Sequence, residues 1–194
     1  MKMFDAQDVQ FTHHVDPLAA AAFFVRADQL RDEPDLTPMK LQKLLYLAQG
    51  NYLASTGQRL FDADVEAFEH GPVVHQVWRE FSGRQIINPE QHAQVMTLDV
   101  PADIAEFLED VWLRYQDWSA SALRRLTHSQ APWRDCYVEG APRNVIPDGA
   151  MTTYFGGSVP AEERVFHPRV VVVPSSVFDD DPVADARLEA FLRA

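Results

Sequence analysis

Thr37-Pro38-Met39-Lys40-Leu41-Gln42-Lys43-Leu44-Leu45-Tyr46-Leu47-Ala48-Gln49-Gly50 decides the fold of this chain. Thr37 is placed to cap a helix, its hydroxyl accepting from a free amide of the first turn. Pro38 follows at the first helical position, where a missing N–H costs nothing. Leu41, Leu44, Leu45, Ala48, Tyr52 and Leu53 recur at the spacing of one helical face. Lys40, Lys43 and Gln49 fall off that stripe and form a polar seam. Gly57, just past Ala54-Ser55-Thr56, is placed to stop the helix in a left-handed conformation. The reading is a central core helix.

Outward from it, Asp16-Pro17 opens an earlier helix in the same N-cap and N1 pattern. Leu18, Ala21, Ala22 and Val25 give that helix an apolar stripe that ends near Arg31. After Gly57, alternation around Val65 and Ala67 predicts a short strand, half of a small hairpin. His70-Gly71-Pro72 breaks it, and Pro72 is expected to start a new helix carrying Val73, Val77, Trp78 and Phe81, with Gly83 as its stop. Residues 84–100 carry few helix signals, and Ile86-Ile87 and Val95-Met96 are read as strand pieces. Pro101 begins an amphipathic helix through Ile104, Phe107, Leu108, Val111, Trp112 and Tyr115. Ser119 or Ser121 caps the next one. Thr127 and Gln130 have capping-box spacing, and Pro132 interrupts the helix and turns Trp133 aside. Residues 138–159 read as loop with brief helical turns. Val170 to Val173 is an expected strand, and Asp179-Asp180-Asp181-Pro182 leads into a last helix.

The fold class expected is mainly α (α+β). Residues 1–15 are an arm, 16–136 a compact helical domain with a small β-hairpin or short sheet, and 137–194 a strand–helix extension packed on that core.

Composition narrows the function. The chain has 194 residues, 46% hydrophobic and 24% charged, with a formal net charge of −12 and a pI of about 4.9. That charge disfavours a nucleic-acid partner, which a basic surface would attract by counterion release. The single cysteine, Cys136, excludes an internal disulfide framework and suits a reducing compartment. The acidic N-terminal stretch is unlike a signal peptide, and no apolar run is long enough to span a membrane. A cytoplasmic location is expected.

Catalytic patterns are weak. His70, His75 and His128 are the candidates for a metal-dependent hydrolase, but they lack the H-E-x-x-H spacing and paired cysteines. His13-His14 and the three aspartates are weaker metal candidates still. No glycine-rich phosphate loop is present. No metal or cofactor is expected.

Three segments form a set. They are Leu36 to Tyr46 (L-T-P-M-K-L-Q-K-L-L-Y), Val65 to Val74 (V-E-A-F-E-H-G-P-V-V) and Leu126 to Trp133 (L-T-H-S-Q-A-P-W). In type, order and separation this set resembles the SocA-type antitoxin family, also called the Panacea domain and found in phage-associated proteins. Its pattern is K-L-Q-K-L-L-Y, then E-A-[WF]-x-x-G-P-V, then T-H-x-[EQ]-x-P-W. Phe68 stands where Trp is usual, His70 where an aromatic is common, and Gln130 where Glu is frequent. The resemblance covers about Asp16 to Cys136.

The resemblance implies an antitoxin of a type II toxin–antitoxin system that binds and neutralises a cognate protein toxin without catalysis. The runner-up is an adaptor that delivers the toxin to an AAA+ protease such as ClpXP. The candidate partner-binding residues are Lys40, Lys43, Tyr46 and Gln49 along the central helix, His70 at the hairpin, Trp78 after it, and Thr127, His128 and Trp133. Trp and Tyr suit such a groove because they bury much area and keep a polar handle.

Overall fold

The computed structural model describes residues 14–83, 85–141, 143–168 and 170. The arm up to His13, the last three residues of the expected Val170–Val173 strand and the expected final helix lie outside the described residues.

The central helix, α2, spans Pro38–Thr56. Thr37 Oγ1 accepts from Lys40 N at 3.3 Å, and Gly57 closes the helix at φ +72°. Both end signals are local, which is why they read correctly. The expected one-sided stripe is replaced by burial all round, from Lys40 to Leu53 without a break. A helix hydrophobic on one side only would face solvent on the other. This one is wrapped, by α1 (Pro17–Gln29), α4 (Ala102–Tyr115), α5 (Ala120–Ser129) and α7 (Asp148–Thr153).

Wrapping a helix on every side buries its polar residues as well, and each needs a partner. Here they bind backbone and side-chain groups of the segments packed around α2. Gln49 Oε1 accepts from Leu60 N (3.0 Å) and Phe61 N (3.2 Å). Gln42 Oε1 accepts from Val74 N (2.7 Å), and Asn51 Oδ1 from Val165 N (2.9 Å). Lys40 Nζ donates to Asp35 Oδ1 (2.7 Å) and Gln116 O (2.6 Å), and lies 5.7 Å from the centre of the Trp112 ring. The polar seam is thus an internal clamp for loops.

β1 (Val65–Phe68) and β2 (Gly71–Val74) form a hairpin, and β3 (Asn144–Val145) pairs on the other side of β1, giving the order β2-β1-β3. The expected fold class, mainly α with a small sheet, is what the chain adopts. Pro72, expected to open a helix, lies inside β2 opposite Ala67, and α3 begins only at His75 and ends at Glu80. A proline is tolerated there because β2 is an edge strand. Its carbonyl points away from β1 and accepts from Lys43 Nζ.

Two further expectations are corrected. Val95–Thr97 is a 3-10 turn, and Ile87 contributes one backbone bond to Leu36 O rather than a strand. Arg26 holds this segment by donating to the carbonyls of Met96 and Leu98. Thr127 and Gln130 form no capping box: Thr127 lies in the last turns of α5, and its Oγ1 donates to Arg124 O. Ser119 caps α5 by accepting from Ala122 N at 3.2 Å. The short α6 (Ala131–Arg134) follows, with Pro132 in its first turn. Residues after Cys136 enter the core directly, since Ile146, Met151 and Phe155 are buried. Phe155, in a π-helical turn after α7, presses edge-on against Tyr46. No helix among the described residues is long and apolar enough to cross a membrane.

Asp28 supplies a test of the loop logic. It is 1% exposed, at the C-terminal end of α1, where the helix dipole disfavours an acid. Its carboxylate accepts from Asp35 N and Leu36 N and so anchors the approach to α2. Asp28→Ala leaves two amides without partners and is expected to cost about 2–3 kcal/mol. Urea unfolding checks this, and a loss below about 0.5 kcal/mol would show that the loop finds other partners.

Candidate functional site

The hairpin, α2 and α5 meet at Lys43. Its side chain is 1% exposed, and Nζ donates to Pro72 O at 2.8 Å. Gly71 makes room for it. At φ +103° this residue adopts a conformation that side chains resist, and a Cβ there would stand 2.7 Å from Lys43 Cε and Nζ and 3.2 Å from Thr127 Oγ1. The Gly71-Pro72 pair therefore has two jobs. The glycine admits the lysine, and the proline carbonyl, turned outward from the ladder, receives it.

From the other side comes Trp133, whose Nε1 donates to Phe68 O at 2.8 Å. Its ring stacks on His128 at 3.8 Å and on Tyr137 at 4.9 Å, with interplanar angles of 20° and 12°. Pro132 and the extended backbone at Gln130 place Trp133 this way by breaking the helical path. Trp133→Phe keeps the ring stack and loses the bond to Phe68 O. The expected cost is about 1–2 kcal/mol, seen as a lowered thermal midpoint. An unchanged midpoint would remove the hairpin bond from the account.

The electrostatics are one-sided. Burial, then the neighbouring Arg124 guanidinium, lowers the Lys43 pKa to about 7. His128 is also lowered, first by burial and then by Arg124 and Lys43, against a hydrogen bond that its ring donates to the His70 backbone carbonyl. Among the described residues no carboxylate pairs with Lys43, Arg124 or His128. Arg124 Nε and His128 Nε2 are buried without hydrogen-bond partners.

The structure brings Lys43, His70, Thr127, His128 and Trp133 together, with His70 exposed at the hairpin turn. The remaining sequence candidates lie elsewhere. Lys40 and Gln49 are consumed by the loop clamps described above. Tyr46 is buried against Phe155, and burial raises its pKa well above the usual phenol value. Trp78 is 45% exposed on α3, stacked with His75. Gln130, from the third motif, lines a separate recess of about 510 Å³ with Trp118, Leu126 and Tyr154. His75 is stacked on Trp78, and among the described residues no three His, Cys, Asp or Glu side chains gather to hold a metal. Arg124 is the residue that sequence reading missed. Its positions three and four before Thr127 and His128 put it on their helical face, which was the available signal.

Comparison with known proteins gives the family. The model of the family described as antitoxin SocA-like, Panacea domain, matches residues 41–134. Antitoxin SocA of Caulobacter vibrioides (strain NA1000 / CB15N) is 33% identical over 142 residues, covering 68% of this chain and 74% of that protein. No solved structure matches the chain. Identity at that coverage, with the three motifs gathered around one buried lysine, makes this chain a member of the SocA-like, Panacea-domain antitoxin family.

Proposed function

We propose that the chain neutralises a protein toxin by binding it, as the antitoxin of a type II toxin–antitoxin pair in the cytoplasm, and that it does so without catalysis. The observation that carries this reading is the relationship to antitoxin SocA across 74% of that protein. The geometry supports it: the motif residues converge under an exposed hairpin turn, where their polar atoms are not all satisfied internally. Recognition then uses the surface of His70, His128 and the hairpin turn, with Lys43, Thr127 and Trp133 fixing its shape from beneath.

The test is co-expression with the product of the adjacent short gene. A growth assay and affinity capture of the full chain are the readouts. Captured toxin and restored growth are expected. Restored growth that disappears in cells lacking ClpXP would assign the adaptor mechanism, whereas growth restored equally without the protease assigns masking. Failure of both capture and rescue overturns the proposal.

A further inference from the structure

We propose that Lys43, Arg124 and His128 form a binding site for one carboxylate of the protein partner. This inference rests on the antitoxin reading for its partner.

Three basic side chains lie together with no acid among them, in a chain whose net charge is −12. With acids so abundant, a cluster of three bases left without one is a specific arrangement. The geometry is preformed. Arg124 and His128 stand one turn apart on the same face of α5, and Thr127 between them faces Gly71. Lys43 is fixed below by Pro72 O, leaving further N–H donors on its ammonium. Trp133, itself stacked on Tyr137, holds the His128 ring in place. Arg124 Nε and His128 Nε2 have no hydrogen-bond partner, although both atoms are buried. Such groups cost free energy unless something satisfies them. Arg124 and His128 are half-buried as residues, so the site reaches the surface beside the exposed Glu69-His70 turn.

The chemistry of the anion follows. A guanidinium presents a planar fork that suits a carboxylate, and a single negative charge is what so acidic a protein tolerates. A nucleic-acid backbone or a dianionic phosphate meets repulsion from the rest of the molecule. The carboxylate comes from an Asp or Glu side chain or from a chain end, and the experiment separates the two.

The probes are N-acetylglycine for a chain end, the α-amide of N-acetylglutamate for a side chain, uncharged N-acetylglycinamide, and inorganic phosphate. Each is titrated into the full chain while the His128 ring protons are followed by NMR. Both carboxylates are expected to shift these protons saturably, with the tighter one naming the source and the amide doing nothing. R124Q is expected to raise the half-saturating concentration at least ten-fold, and R124K to restore part of the loss. Because Arg124 repels Lys43 and its Nε is unbonded, R124Q should fold, and H128A, followed through Trp133 fluorescence, gives a second loss of binding. Equal shifts with the amide, tighter binding of phosphate, or R124Q titrating like the parent overturns the site. Toxin captured equally by R124Q and parent overturns the carboxylate contact and leaves the antitoxin reading standing. Saturable carboxylate binding with no toxin captured by the parent overturns the antitoxin reading and leaves the site.

Discussion

Gly71→Ala is expected to destabilise the domain by roughly 3–5 kcal/mol, a large share of what a single domain has. Two costs add at this position. The backbone at φ +103° resists any Cβ, at about 1–3 kcal/mol, and the added methyl also meets Lys43 Cε and Nζ at 2.7 Å. The lysine cannot swing aside without losing Pro72 O and moving toward Arg124. Gly57→Ala is the control. It also needs a positive φ, +72°, but nothing lies within 4 Å of its Cβ, so only the conformational cost of about 1 kcal/mol should appear. The urea midpoints of the two variants measure the difference. Equal losses would mean that Lys43 does not depend on the space above Gly71.

Lys43→Met should remove a pH dependence of stability that runs opposite to an ion-paired lysine. The folded pKa is about 7 against an ordinary 10.5, because burial and Arg124 penalise the ammonium. Between these values the unfolded chain holds a proton that the folded chain has released, so this group's contribution to stability rises with pH. Below pH 7 both states are protonated and the full penalty applies. The displacement corresponds to about 3–6 kcal/mol across the window. The parent-minus-variant difference in unfolding free energy is therefore expected to climb by that order from pH 6 to pH 10. The methionine also leaves Pro72 O unpaired, a pH-independent loss of about 1–3 kcal/mol that offsets the curve without tilting it. A flat difference would mean that Lys43 titrates as an exposed lysine does.

What could be read beforehand was what the chain encodes locally. Thr37-Pro38 and Gly57 bound α2, Asp16-Pro17 opens α1, and the amphipathic spacing from Ile104 to Tyr115 marks α4. The errors lie where distant groups decide. Pro72 carries a helix-start signal, yet the pairing of Ala67 and the reach of Lys43 make it a strand residue. The segment at Met96 and Leu98 is shaped by Arg26, seventy and more positions earlier. Thr127 and Gln130 have capping spacing, but α5 runs through the threonine. Among the site candidates, shared motifs pointed to Lys43, Thr127, His128 and Trp133. Position on the polar seam also nominated Lys40 and Gln49, because periodicity cannot distinguish a side chain turned to solvent from one holding a remote loop. Arg124 carries no such motif, and its importance follows only from the lysine beneath it.

The contact between α2 and the π-helical turn has a consequence for synthesis. Gly50 lies so close to Phe155 that an added Cβ would run into the ring, whose atoms are the three nearest to it. The face of α2 at Gly50 therefore waits for a residue translated roughly a hundred codons later, which at ordinary elongation rates is about 5–20 s. Until then the helix lacks the ring that covers it at Gly50. A nascent chain of this design completes the packing of α2 only after Phe155 is made, and that face needs shelter until then.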